Sequence, residues 1–88
     1  MIIKIDKTFD KDARKIKDKA LLIKIADIIE QFKNIDDPGE IRNIKKLRGA
    51  SDFYRIRVGE YRIGIKIKFG NVYFIRLLHR KEIYKYFP

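Results

Sequence analysis

Three stretches in the second half of the chain, about residues 53–58, 61–68 and 72–79, alternate apolar and polar side chains with a period of two. The pairs Gly59-Glu60 and Gly70-Asn71 separate them. This pattern predicts a three-stranded antiparallel meander, because strand side chains alternate between faces and two-residue turns join only antiparallel neighbours. Such turns also fix register. Around Gly59-Glu60, Val58 is expected to face Tyr61, Arg57 to face Arg62, Ile56 to face Ile63 and Arg55 to face Gly64. Around Gly70-Asn71, Phe69 is expected to face Val72, Ile65 to face Arg76 and Arg62 to face His79. One face then carries Tyr54, Ile56, Val58, Tyr61, Ile63, Ile65 and Ile67. The other carries Arg55, Arg57, Arg62, Gly64, Lys66, Lys68 and His79.

An apolar sheet face needs a cover, and the first half of the chain supplies one. Ile2-Ile3-Lys4-Ile5 reads as a short strand rich in β-branched residues. Thr8 reads as a helix N-cap, with Asp10 and Asp12 favourable in the first turn. Phe9, Ala13 and Ile16 follow at helical spacing, and a break is expected around Asp18. Leu21, Leu22, Ile25, Ile28, Ile29 and Phe32 form a helical stripe, which predicts an amphipathic helix over 19–33. Residues 34–39 read as a loop and 41–50 as a basic segment. The tail from Arg80 to Pro88 reads as a single helical turn or an irregular end. The expected architecture is α+β: an N-terminal strand and a helical hairpin packed on an antiparallel sheet, in one domain spanning residues 1–88.

Charge is divided unevenly along this chain. Residues 1–40 hold nine basic and nine acidic residues, whereas 41–88 hold thirteen basic against Asp52, Glu60 and Glu82, so the second half carries the whole net +10. Strand arginines are commonly a solvated face, but scattered charge would not segregate so completely. A one-sided cationic face points to a polyanion, usually nucleic acid. In the expected register Arg57, Arg62 and His79 form one row, and like charges directly opposed destabilise a pair by a few tenths to ~1 kcal/mol. A bound anion would relieve that repulsion. Gly64, opposite Arg55, is expected to leave a shallow spot where a nucleotide could lie against backbone.

Several chemistries are excluded. The chain has no cysteine and one histidine, so neither a thiolate nucleophile nor a Cys- or His-rich metal site is available. Carboxylates in the second half are few and separated, which argues against a metal-dependent nuclease. No cofactor is implied. Any reaction must use Arg, Lys, His and Tyr. No 18-residue apolar run is present, and acid and base occur too early for a signal peptide, so no membrane association and a cytoplasmic location are expected.

The segments Lys45-Lys46-Leu47-Arg48-Gly49, Phe53-Tyr54-Arg55-Ile56-Arg57-Val58-Gly59-Glu60-Tyr61-Arg62-Ile63 and Leu78-His79-Arg80-Lys81-Glu82-Ile83-Tyr84 resemble the RelE/ParE toxin superfamily in sequence and in order. The likeness spans essentially the whole chain. Its closing segment resembles the RelE ribonuclease branch more than the ParE gyrase-inhibitor branch. The resemblance implies a microbial-ribonuclease-like fold and the toxin of a type II toxin–antitoxin system. It implies cleavage of mRNA in the ribosomal A site, by attack of the ribose 2′-OH on the adjacent phosphate without a metal. It also implies a cognate RelB-like antitoxin with an acidic wrapping segment.

Carried over position by position, the resemblance implies catalytic roles for Arg55, Arg57, Arg62, Arg80 and Tyr84. It implies RNA contacts for Lys45, Lys46 and Arg48; Lys66 and Lys81 extend the basic set. Some members have lysines at the first two positions. Arginine does not lose its proton in a protein, so Arg55 and Arg57 are expected to stabilise a phosphorane rather than act as a base. His79 is the expected base, with the surrounding cations favouring its neutral form. Arg80 or Lys81 is expected to neutralise the 5′-oxygen leaving group, and Tyr84 to stack on a base or bond the 2′-OH. Two other readings stand beside this one: a ParE-like gyrase inhibitor, and a non-catalytic nucleic-acid-binding or co-repressor module.

Overall fold

The computed structural model describes residues 1–88. Along the chain come β1 (Ile2–Ile5), α1 (Lys7–Arg14), α2 (Lys19–Phe32), a 3-10 turn at Pro38–Glu40, β2 (Ile44–Lys46), β3 (Phe53–Val58), β4 (Tyr61–Lys68), β5 (Asn71–His79) and α3 (Ile83–Tyr86). The strands form one sheet in the order β1-β5-β4-β3-β2. The meander is its centre. It is extended at both edges, by β1 parallel to β5 and by β2 antiparallel to β3. The basic segment thus contains an edge strand that its composition did not announce.

The register of β3 on β4 is as expected, from Val58 opposite Tyr61 to Arg55 opposite Gly64. That of β4 on β5 differs in two ways. The turn residues are Phe69 and Gly70, both at positive φ (51° and 77°), as a type I′ turn requires. Lys68 therefore pairs with Asn71, Ile67 with Val72 and Ile65 with Phe74. Then Gly64 pairs with Arg76, which leaves Ile75 as an extra residue in β5. Beyond this bulge Arg62 faces Leu78, and His79 faces Tyr61. The expected row of Arg57, Arg62 and His79 does not form: the turn shifts the register by two residues, which takes His79 past Arg62, and the one-residue insertion then moves every later side chain to the other face.

The bulge lies where β1 stops and α1 takes over beside β5. The Asp6 amide still donates to the Phe74 carbonyl. After that, side chains replace the backbone ladder. Thr8 Oγ1 donates to the Ile75 carbonyl (2.7 Å), and the Leu77 amide donates to Asp12 Oδ2 (2.9 Å). Thr8 and Asp12 are four residues apart and so share one face of α1. Thr8 is therefore not the N-cap; Asp6 occupies that position, without a side-chain cap bond. Asp12 also receives Arg76 Nε and Nη2 at 2.8 and 3.2 Å while its own side chain is 4 % exposed.

The helices cover the apolar face as the sequence predicts. The chain breaks before Asp18, whose carboxylate accepts from the Leu21 amide and caps α2. Phe74 stands between Phe9 of α1 and Phe32 of α2, each edge-on with centroids 5.6 and 5.5 Å away. Ile25, Ile56, Ile63, Ile65 and Leu77 complete the buried centre. The tail forms one helical turn and packs on the opposite face. There Phe87 is buried directly over Gly64, where a Cβ would lie 2.7 Å from its ring. The shallow spot expected at Gly64 is thus occupied by the chain's own aromatic side chain.

Replacing Asp12 with Ala would leave the Leu77 amide and the Arg76 guanidinium without their acceptor. Asp12→Ala should lower unfolding free energy by about 2–4 kcal/mol, measured by urea denaturation. A loss below ~1 kcal/mol would show that α1 does not depend on this carboxylate.

Candidate functional site: an arginine cleft on the outer sheet face

Adjacent strands bring Arg55, Arg57 and Arg62 together. Arg57 lies directly opposite Arg62, and Arg55 opposite Gly64. Because β2 pairs with β3, Lys45 lies opposite Arg55 and joins them. These four line an open cleft of about 330 Å³ with Asn43 and Ile44. No carboxylate lines it.

Neutral oxygens hold the guanidiniums in place. Arg62 Nη1 donates to the carbonyls of Gly59 and Tyr61, both at 2.9 Å. Arg57 Nη2 donates to Asn43 Oδ1 at 3.3 Å, and the Arg57 amide donates to the Asn43 carbonyl. Asn43 has a left-handed φ of 64°, a conformation that Asn tolerates better than most residues. Arg55 Nε donates to Tyr84 Oη at 2.8 Å. None of these acceptors carries a full negative charge. The remaining N–H donors keep their charge for an incoming anion, in the fork geometry that suits phosphate oxygens.

Crowding is visible in Arg62. Burial, and then the neighbouring Arg55 and Arg57 charges, pull its pKa below the ordinary arginine value; Tyr84 opposes and Arg80 adds to the shift. The folded state therefore holds this proton less tightly than the unfolded state does. At neutral pH the cluster costs stability, and an anion placed among the charges recovers it.

The other expected site residues separate. Arg80 stands at the rim, with Nε 2.8 Å from Glu60 Oε2 and its amide bonded to the Glu60 carbonyl. His79 is on the helix-side face, edge-on to Tyr61 with centroids 5.7 Å apart. Its Nδ1 accepts from the Lys81 amide, and its Nε2 lies 4.0 Å from Glu60. The expectation that His79 works among the arginines is overturned by the Ile75 bulge. Lys81 is exposed in the turn after β5, and Arg48 in the loop after β2. Lys46 lies opposite Tyr54, on the other side of the sheet from Lys45. Lys66 shares the outer face farther along β4, with Nζ 5.7 Å over the Phe53 ring.

Sequence reasoning missed three contributors. Asn43 anchors Arg57, Glu60 neutralises Arg80, and Phe87 carries α3 onto Gly64. Only the sequence position of Gly64 in an otherwise branched strand hinted at a close approach. The roomiest cavity, about 590 Å³, lies elsewhere, between the α1–α2 junction and the β3–β4 turn. Its mixed lining of Lys15, Lys17, Asp18, Lys24 and Glu60 assembles no catalytic set.

Comparison with known proteins places these features among relatives. Residues 3–84 match the family model described as the ParE toxin of the type II toxin–antitoxin system parDE. The chain is 43 % identical over 83 residues to Toxin RelE3 of Methanocaldococcus jannaschii, covering 93 % of each protein. It is 32 % identical to Putative toxin RelE1 of the same organism over 69 % of each. Among solved structures, the RelB–RelE antitoxin–toxin complex from Methanococcus jannaschii contains a chain with TM-score 0.83 and 41 % identity, covering 97 % of this chain and 99 % of that one. A chain of the RelE–RelB complex from Pyrococcus horikoshii has the same fold, with TM-score 0.75 and 23 % identity over 93 % and 97 %.

Two measurements check the cleft. Phosphate should raise the melting temperature more than sodium chloride at equal ionic strength, by the equivalent of about 1.4 kcal/mol at ten times its Kd. Arg57→Ala should abolish the difference. Gly64→Ala should cost about 1–3 kcal/mol through overpacking against Phe87. If it melted like the parent, the Phe87 contact would not be what seats α3.

Proposed function

The chain belongs to the RelE/ParE toxin superfamily and is the toxin of a type II toxin–antitoxin system, and from that premise we propose that it is a ribosome-dependent endoribonuclease acting on mRNA. The observation that carries this reading is the carboxylate-free cleft, which Arg55, Arg57 and Arg62 line together with Lys45 and beside which Tyr84 is tethered to Arg55.

The ribose 2′-oxygen attacks the adjacent phosphorus, the bond to the 5′-oxygen breaks, and a 2′,3′-cyclic phosphate remains. Arg57 and Arg62 meet the charge that accumulates on the non-bridging oxygens of the phosphorane. The arginines cannot take the 2′-OH proton, and His79 is on the other face. Of the side chains at the cleft, only the Tyr84 phenol and the Lys45 amine exchange protons. We assign the 2′-OH proton to the Tyr84 oxygen, which Arg55 holds in place and which accepts it as a phenolate, and we assign the proton delivered to the departing 5′-oxygen to the Lys45 ammonium. Arg80, engaged with Glu60, serves the rim. A site with so weak an acid–base set depends on substrate geometry, and in-line positioning by the ribosome can contribute up to ~7–11 kcal/mol of the barrier.

A cognate antitoxin is the assigned protein partner. The 41 %-identical relative was solved as a RelB–RelE antitoxin–toxin complex. A chain of net charge +10 should associate with an acidic segment at a rate that falls as salt rises.

The test is primer extension on an mRNA in a purified translation system, with and without ribosomes. The expected result is ribosome-dependent cuts, lowered about 10²–10³-fold by Arg62→Ala and about 10²-fold or more by Tyr84→Phe. His79→Ala should cut within about twofold of the parent, since its ring does not reach the cleft. Parental activity in Arg62→Ala would sink the assignment. The ParE description of the matching family model favours gyrase as the second target. An intact message together with inhibited DNA supercoiling would establish that reading instead.

A further inference from the structure

Phe69 is 90 % exposed and sits at φ 51° in the β4–β5 turn. Positive φ is unfavourable for an aromatic residue, and a bare ring leaves its apolar surface in water. Its neighbour is an ammonium group, Lys68 Nζ, 5.4 Å above the ring. The same chemistry continues across the outer face. Phe53, Lys66, Tyr73 and Lys4 pair in one row through four strands, so their side chains share that face. A groove of about 360 Å³ lies among Phe53, Lys66, Lys68, Phe69 and Tyr73. Asp6 also lines it, and Asp52 lies 4.0 Å from Lys68, so the patch is not uniformly cationic.

We propose that this patch is a second RNA subsite, a platform on which unpaired bases of a single strand stack. Alternating rings and ammonium groups match a polymer that offers a π-face at each base and a negative charge at each phosphate. The platform also runs into the arginine cleft. Phe53 meets Phe87 edge-on at 5.5 Å, Phe87 covers Gly64, and Gly64 pairs with Arg55. From Arg57 to Phe53 along β3 is about 13 Å at ~3.3 Å per residue, a span that one continuous strand can bridge. The choice of RNA as the polymer rests on the ribonuclease reading; the stacking itself does not require cleavage.

The experiment is fluorescence anisotropy of a labelled oligouridylate with the full chain, across a range of salt concentrations. Phe69→Ala should weaken binding about five- to hundredfold with the salt slope unchanged, because stacking releases no counterions. Phe69→Trp should bind as the parent does. Lys66→Gln with Lys68→Gln should reduce the slope of log K against log salt by about 1.4. Ile23→Ala, which removes a 70 % exposed side chain from α2, should change nothing. Parental affinity in Phe69→Ala, or no binding by the parent, overturns the platform. Weakened binding of an acidic antitoxin segment with RNA binding intact would assign the patch to protein and overturn it as well. Weakened RNA binding in Phe69→Ala, beside a parent that cuts no mRNA, would uphold the platform and sink the ribonuclease reading. Ribosome-dependent cutting with RNA affinity indifferent to Phe69 would do the reverse.

Discussion

A single extra residue in β5, Ile75, decides how chemistry is divided between the faces of this sheet. It is stabilised from outside the strand. Thr8 bonds the Ile75 carbonyl and Asp12 bonds the Leu77 amide, continuing an edge that β1 leaves at Ile5. The arrangement then propagates along β5. Leu77 points into the core, Leu78 flanks Arg62, and His79 is carried to Tyr61 on the helix side. With the register of the β4–β5 turn continued and no bulge, Leu77 would stand opposite Arg62, and His79 would lie on the outer face beyond it.

Repulsion at the cleft is tolerated because the neutral acceptors around it satisfy only part of each guanidinium. Carbonyls of Gly59 and Tyr61, the Asn43 side chain and the Tyr84 hydroxyl orient Arg62, Arg57 and Arg55 without cancelling their charge. The carboxylate that could cancel it, Glu60, is turned to Arg80 at the rim. The mutual repulsion of these guanidiniums is thereby left uncancelled in the folded protein. The same outer face carries α3, whose Phe87 rests on the one β4 position without a Cβ. Tyr84 reaches Arg55 from this short helix, so the packing of a glycine sets the position of a candidate catalytic hydroxyl.

Much of this was legible in the residues. The helix over 19–32, the break before Asp18, the β3–β4 hairpin and the cluster of Arg55, Arg57 and Arg62 follow from local periodicity and one short turn. Family resemblance brought Tyr84 to the same site. The errors have one character. Thr8 looked like a cap because its type is common there, yet it serves β5, far away in sequence. Gly70-Asn71 looked like the turn because glycine tolerates positive φ, yet Gly70 takes the second turn position and Phe69 the first. Strand β2 was hidden because three residues, two of them lysines, show no alternation to read.

By itself, the sequence determined the α+β class, the apolar and cationic faces of the central hairpin and the exclusion of thiol chemistry, and it raised the expectation of an anionic partner. Each depends on residue type and on spacings shorter than a turn or a hairpin. The tertiary structure alone decided which side of the sheet receives His79, what fills the space over Gly64, and which oxygens hold the arginines. Those outcomes depend on groups brought together from opposite ends of the chain, Asp12 with Leu77 and Gly64 with Phe87. No local pattern encodes them, because a bulge costs little in itself and is selected by the packing around it.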